Sequence, residues 1–187
     1  MKFQLFTSRP AESTIDGLYG AIVAQARSPG FYRAYGVPDT VEGRFDMIVL
    51  HLVLLFRRLT RDPNADRGLT QCLFDRFCLD MDHNLREMGV SDLAVPKQMR
   101  KLGEAFYGRA EAYERALSAG SSGEPLVSAL ARNIFAEGGV PSPKASRLAT
   151  YVLEAERQLD AAEGAAIAAG SLVFPDLDKI PEAAQVR

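Results

Sequence analysis

Two histidines and two aspartates are the side chains whose types and spacing could support metal binding or acid–base chemistry in this 187-residue sequence. Asp80, Asp82 and His83 fall on one predicted helix and His51 on another, and carboxylates and imidazoles both ligate metals and exchange protons. On a helical wheel, however, His83 lies about 100° from Asp82 and about 60° from Asp80. A shared site would need other helices to supply most of its ligands. We therefore favour structural pairing and predict no metal site, no cofactor and no catalytic residue.

Motifs that mark nucleotide binding or hydrolysis are missing from the sequence. It contains no GxxxxGK[ST], GxGxxG, GxSxG or HExxH segment, and it lacks the Glu-x-x-His pairs of di-iron helical bundles. Its two cysteines, Cys72 and Cys78, lie six residues apart on one predicted helix and point to different sides of it, which argues against a disulfide. A binding or chaperone role is therefore favoured over an enzyme.

The charge balance excludes one class of partner. The 22 lysines and arginines are matched by 24 aspartates and glutamates, so the net charge of −2 produces no general field that would hold DNA. Two local basic groups remain as a possible contact for ribosomal RNA or lipid headgroups, although solvated helix ends explain them equally well. They are Arg57, Arg58 and Arg61 in one group, and Lys97, Arg100 and Lys101 in the other.

The spacing of apolar residues predicts an all-α fold. Apolar residues recur every three or four positions between Gly, Pro and Ser punctuation, and two-residue alternation is missing. With 47% hydrophobic residues, the chain is long enough for one domain spanning 1–187. We predict a single bundle of about six helices over 14–27, 39–60, 66–88, 96–117, 125–137 and 143–169, with an extended tail over 170–187. The tail is expected to lie on the surface through Leu172, Phe174 and Ile180 and to end in disorder.

The second predicted helix is apolar almost all round. Asp39 and Glu42 have capping-box spacing at its start. One face is filled by apolar residues, but Leu50 and Leu54 occupy the opposite side. Such a helix is either central in a bundle or leaves one apolar side for a partner.

The third predicted helix places two carboxylates on its apolar face. Asp80 and Glu87 fall beside leucines, and an unpaired buried carboxylate is costly. We therefore expect an arginine nearby, namely Arg44, Arg57 or Arg58.

Neither a targeting segment nor a membrane span is expected. The N-terminal stretch MKFQLFTSRPAEST lacks the apolar core of a signal peptide, and the longest apolar run, 47–56, has ten residues where a span needs about 20. These features predict a cytoplasmic protein.

Three blocks of the sequence resemble a known family. The blocks are FYRAYGVPDTVEGRFDMIVLHLVLLFRRL at 31–59, LTQCLFDRFCLDMDHNLREMGVSDLAVPKQMRKLGEAFYGRAEAY at 69–113 and LYGAIVAQAR at 18–27. As a set they resemble the ubiquinol-cytochrome c chaperone family, bacterial relatives of the mitochondrial assembly factors for respiratory complex III. The family-like core is thus about 18–113, followed by a helical extension over 124–169.

The resemblance implies an assembly chaperone that holds newly made cytochrome b before the other subunits join. It also implies contact with the ribosome or with a small partner protein, as in the mitochondrial relatives, and a cytoplasmic location, peripheral on the inner membrane. An apolar client needs an apolar groove, and polar positions of the matching blocks are candidates for contacts around it. We expect the client to contact Phe31, Tyr32, Tyr35, Arg44, Leu50, Leu54, Asp75, Arg76 and Asp82.

Two alternatives remain open at this stage. One is a small-ligand or haem-handling protein in which His51 and His83 converge in a polar pocket. The other is a scaffold module that binds ribosomes or anionic membranes through its basic groups.

Overall fold

The computed structural model describes residues 10–119, 123–138 and 140–180, with the backbone alone for Arg67. This part of the chain is helical and contains no strand, which confirms the predicted fold class. The helices are α1 (Glu12–Ala26), α2 (Pro29–Arg33), α3 (Val41–Arg61), α4 (Arg67–Glu87), α5 (Val95–Ser118), α6 (Glu124–Asn133), α7 (Pro143–Ala161) and α8 (Gly164–Ala168), followed by a 3₁₀ turn over Leu177–Lys179. Within the described ranges, no helix has the length and apolar character needed to cross a membrane.

Helix α3 is the centre of the bundle. It packs against α1, α4, α5 and α7, while α6 fills the space between α5 and α7. All residues at positions 45–55 are buried, because a helix that is apolar all round is stable in water only when neighbours surround it. Leu50 and Leu54 are therefore core residues, and the expectation that they form an exposed apolar side is wrong.

The start of α3 differs from the prediction by one capping residue. The Thr40 hydroxyl, and not the Asp39 carboxylate, accepts the hydrogen bond from the Gly43 amide, at 3.1 Å. Asp39 instead accepts from Arg44 Nε at 2.8 Å. At α4, Asp66 caps the first turn and Gly89 adopts a positive φ of 82° just beyond the last turn, where the sequence predicts a left-handed residue.

The C-terminal part differs most from the prediction. Helix α6 ends at Asn133 and α7 at Ala161, both earlier than expected. The segment 170–180 packs against the bundle through the three residues that the sequence singles out, since Phe174 and Ile180 are buried in the core and Leu172 is half-buried against it. The expected disorder at the chain end concerns 181–187, which lies outside the described residues.

Candidate functional site

His51 is a wholly buried, neutral residue. Its Nδ1 lies 2.7 Å from the carbonyl oxygen of Met47, which can only accept, so Nδ1 carries the proton and donates it. The other nitrogen, Nε2, then accepts from the Tyr151 hydroxyl at 2.7 Å. Burial lowers the pKa of His51 to about 4, so the ring is uncharged at physiological pH.

The hydrogen bonds of His51 continue to the C-terminal segment. The Tyr151 hydroxyl accepts from Gln25 Nε2 at 3.2 Å, and the same amide donates to the Pro175 carbonyl at 3.1 Å. This chain of hydrogen bonds joins α3, α7, α1 and the segment 170–180. Since both nitrogens of His51 are engaged, the imidazole has no free lone pair for a metal or haem iron.

An aromatic cluster surrounds this network. Phe31 lies edge-on to Tyr151 with 4.8 Å between ring centroids, and Phe174 lies edge-on to His51 at 4.9 Å. Tyr35 joins the cluster through Phe31 at 5.6 Å. Phe31 and Tyr35 are thus covered by the rest of the chain, and the expectation that they line an open groove is wrong for this structure. An aromatic-rich linker that packs onto a helical core buries its larger rings.

The two histidines do not converge. His83 is exposed on α4, where its Nε2 lies 3.8 Å from Glu87, whereas His51 is enclosed by the core. The polar pocket expected for a small-ligand or haem-handling protein is therefore not formed by these residues. A tyrosine takes the place of the arginine that was expected beside Asp80: the Tyr19 hydroxyl donates to the Asp80 carboxylate at 2.8 Å. Burial, and after it the charge of Asp80, raises the pKa of Tyr19.

Two arginines predicted as client contacts lie over aromatic rings at the surface. The Arg44 guanidinium lies 5.8 Å from the ring centroid of Tyr32, which is half-buried. The Arg76 guanidinium lies 5.1 Å from the ring of Tyr19, and its Nε lies 3.2 Å from Asp16. Arg44 and Arg76 therefore combine charge with aromatic surface, as partner-binding arginines often do.

The remaining predicted client contacts, Asp75 and Asp82, follow the outward face of α4. Asp75 accepts from Gln71 at 2.7 Å, and Asp82 accepts from Arg86 at 2.6 Å. The apolar side chain between them, Leu79, is 66% exposed. This face therefore places a leucine between two carboxylates in contact with solvent.

The first predicted basic group is not a basic surface. Arg57 is buried and pairs with Glu114 and Glu156, which ties α3 to α5 and α7. Arg58 donates to the carbonyl of Leu159 at 3.0 Å, and Arg61 is exposed but lies 3.1 Å from Glu156. A helix that is central in the bundle brings neighbours to its arginines as well as to its leucines, and the sequence of α3 alone cannot show them.

The second predicted basic group is exposed. Lys97, Arg100 and Lys101 lie on the outer side of α5, and Arg100 has Glu104 at 3.7 Å. Leu93, in the turn between α4 and α5, is 96% exposed. The turn between α4 and α5, together with the first turns of α5, thus carries positive charge and an exposed apolar side chain.

A second buried polar cluster lies on another side of α3. Arg109 Nε forms an ion pair with buried Asp46 Oδ1 at 2.5 Å, and neither atom has another partner among the described residues. Burial raises the pKa of Asp46 to about 6, although the charge of Arg109 opposes the shift. Tyr113 and Asn133 lie nearby: burial and the charge of Asp46 raise the pKa of Tyr113, whereas Arg109 and Asn133 oppose the rise, and the Tyr113 hydroxyl has no well-aligned hydrogen bond among the described residues.

Most residues of these two polar groups have no distinctive signal in the sequence. Gln25, Tyr151 and Tyr113 look like ordinary members of amphipathic helices. Asp46 could be identified from the sequence, because it lies between Phe45 and the apolar run 47–56, and a carboxylate in that position is buried together with the run. Its partner Arg109 lies 63 positions further along the chain, and nothing in the local pattern identifies it.

The described part of the chain is thus a helical bundle in which the imidazole of His51 belongs to a buried network of hydrogen bonds. A family model described as "Ubiquinol-cytochrome C chaperone" matches residues 33–174. The crystal structure of the Cbp3 homologue from Brucella abortus is similar, with 38% sequence identity, a TM-score of 0.80 and coverage of 91% of this chain and 93% of that chain. No curated protein sequence matches the chain. The chain belongs to the ubiquinol-cytochrome c chaperone family.

Proposed function

We propose that this protein is a non-enzymatic assembly chaperone that holds newly made cytochrome b while ubiquinol-cytochrome c reductase, respiratory complex III, is assembled. The observation that carries the proposal is the family match over 33–174, together with 38% identity to a Cbp3 homologue of the same fold. The hydrogen bonds of both His51 nitrogens support it, because they hold the imidazole inside the core and leave it no free nitrogen for catalysis or metal binding.

The client surface in this proposal is built around Arg44 on α3 and Arg76 on α4. Both arginines are exposed and lie over tyrosines, Tyr32 and Tyr19, so they offer charge and aromatic area together. Arginines in such settings contribute strongly to protein interfaces. Asp75 and Asp82 extend the same surface along α4 in the proposal.

The test is capture of cytochrome b from solubilised membranes by the tagged protein. We expect the wild type to capture it, and Arg44→Glu/Arg76→Glu to capture at least about fivefold less, the effect of about 1 kcal/mol at exposed charges. The matched control is Arg115→Glu, which reverses an exposed, ion-paired arginine on α5. Absence of cytochrome b from the wild-type capture, or normal complex III levels after deletion of the gene, contradicts the proposal.

We also propose a peripheral contact with the anionic lipids of the inner membrane on its cytoplasmic face. Exposed Leu93, in the turn before α5, and exposed Lys97 and Lys101, in the first turns of that helix, favour it, because an apolar side chain followed by cations suits a lipid headgroup layer. The carboxylate next to Leu93, Asp92, is paired with Arg86. We expect the protein to float with phosphatidylglycerol vesicles at low salt and less at high salt. Lys97→Glu/Lys101→Glu should abolish flotation. Binding to ribosomes without binding to vesicles would overturn the membrane contact.

A further inference from the structure

The C-terminal strap, residues 170–180, crosses α1 and covers the aromatic cluster. At the crossing, a Cβ on Gly17 would lie 2.6 Å from the Gly170 carbonyl oxygen, so only a glycine in α1 lets the strap pass this closely. Further along, the strap turns Phe174 and Leu177 inward, whereas Val173 is 66% exposed. The strap is thus an amphipathic segment seated in a shaped groove.

Few hydrogen bonds hold the strap in this groove. Gln25 Nε2 donates to the Pro175 carbonyl at 3.1 Å, and the Tyr35 hydroxyl donates to the Leu177 carbonyl at 3.4 Å. Apart from the 3₁₀ turn at its end, the strap has no regular secondary structure. A segment with few backbone hydrogen bonds opens at a lower free energy than the bundle as a whole.

The groove beneath the strap has the chemistry of a peptide site. Its floor is formed by Phe31, Tyr35, Tyr151 and neutral His51, and the charge nearest to these rings is the Arg147 guanidinium, 4.4 Å from the ring centroid of Tyr35. When the strap leaves, the Gln25 amide and the Tyr35 hydroxyl lose the main-chain carbonyls that they bond. Each then offers a free donor to the carbonyl of another peptide. This aromatic floor suits an uncharged apolar peptide that brings large side chains and two carbonyls, as the strap does with Phe174, Leu177 and the carbonyls of Pro175 and Leu177.

We propose that the strap is an internal substitute for the client: it leaves the groove as a unit, and an uncharged apolar segment of a newly made membrane protein takes its place. This inference rests on the proposed function and adds the apolar part of the client site to the surface that carries Arg44 and Arg76. The two parts adjoin, because Tyr32 and Phe31 are neighbours on α2, one under Arg44 and the other in the groove. The client site is hidden until the strap moves.

A disulfide between the groove and the strap can test this. A Cβ at residue 30 would lie 3.6 Å from the Cβ of Leu177, within the range of about 3.5–4.5 Å that a disulfide requires. Gly30→Cys/Leu177→Cys, in a chain whose Cys72 and Cys78 are replaced by Ala, can therefore lock the strap reversibly. We expect the oxidised protein to capture cytochrome b at least about tenfold less than the same protein after reduction.

Two controls separate the lock from side effects. Leu177→Cys alone should capture equally before and after treatment with the same oxidant. The opposite change, Leu177→Ala/Ile180→Ala, weakens the seat of the strap and should raise capture about threefold, because the open state becomes more populated. Val173→Ala, on the exposed side of the strap, should leave capture unchanged.

The outcomes distinguish the two proposals. Equal capture by the oxidised and reduced lock overturns the strap proposal and leaves the chaperone proposal standing. If the locked chain does not fold, unchanged capture by Leu177→Ala/Ile180→Ala overturns it instead. A wild type that captures no cytochrome b overturns both.

Discussion

Helix α3 carries three buried polar side chains, Asp46, His51 and Arg57. The first two lie about 140° apart around its axis, and their surroundings differ sharply. On the His51 side, each ring nitrogen has a hydrogen-bond partner at 2.7 Å. On the Asp46 side, the carboxylate meets the Arg109 guanidinium at 2.5 Å as an ion pair, and Asp46 Oδ1 has no second partner among the described residues. One helix thus holds a neutral, fully hydrogen-bonded group and a buried charged pair with few partners.

The physical difference lies in charge and in the number of partners needed. A neutral imidazole needs only one acceptor and one donor, which Met47 and Tyr151 supply. A carboxylate needs several donors to offset the loss of water, whereas Asp46 Oδ1 has only the Arg109 guanidinium beside it among the described residues. The His51 side therefore stabilises the fold, whereas the Asp46 side reduces its stability.

The largest expected effect comes from removing the imidazole. His51→Ala leaves a cavity between Phe31, Phe174 and Tyr151 and takes the acceptor from the Tyr151 hydroxyl. We expect the free energy of unfolding to fall by about 4 kcal/mol, measured by urea denaturation. The matched change in the other cluster, Asn133→Ala, should cost no more than about 1 kcal/mol. Equal losses in both variants would remove the distinction between the two sides.

The second effect is a pH dependence of opposite sign on the two sides. Burial raises the pKa of Asp46 from 3.8 to about 6, so the stability it contributes is full below pH 3.8 and is lost as the pH rises through 6. Burial lowers the pKa of His51 from 6.5 to about 4, so its contribution is full above pH 6.5 and is lost as the pH falls through 4.

Asp46→Asn isolates the first of these contributions. A shift of about two pKa units corresponds to about 3 kcal/mol, so the variant should gain about that much relative to the wild type between pH 4 and pH 7. Arg109, whose side chain is 24% exposed, can turn toward water in this variant. Urea denaturation at several pH values measures the gain. Parallel pH profiles for variant and wild type would contradict the assignment.

The smallest effect compares one substitution in both regions. Tyr151→Phe removes the donor to His51 Nε2 and should lower the free energy of unfolding by about 1–3 kcal/mol. Tyr113→Phe removes a buried hydroxyl without a hydrogen-bond partner in the described part of the chain, and should stay within about 1 kcal/mol of the wild type or exceed it. Thermal unfolding of the two variants side by side gives the answer. A larger loss at Tyr113 would mean that its hydroxyl is satisfied in solution.

The sequence predicted the fold well because helical periodicity is a local property. The apolar stripes and the capping residues located most helices to within a few residues, and Asp66 and Gly89 mark the ends of α4 as expected. The cap of α3 was misassigned, since Asp39 and Thr40 are both good capping residues and only the pairing of Asp39 with Arg44 decides between them.

The candidate site was predicted much less well, because partners distant in sequence define it. Leu50 and Leu54 looked like a free apolar side, and Arg57 like a free cation, until neighbouring helices covered them. The aromatic residues at 31 and 35 were singled out correctly as unusual, but the segment that covers them comes some 140 positions later in the chain.

The amino-acid sequence alone is enough to establish an all-helical domain, its family resemblance and the central apolar helix, because periodicity, composition and motif blocks are read along the chain. The tertiary structure decides which apolar faces are covered, which charges are paired and that the strap closes the groove over His51. These features depend on contacts between residues far apart in sequence, whose burial and hydrogen bonds exist only once the helices have packed.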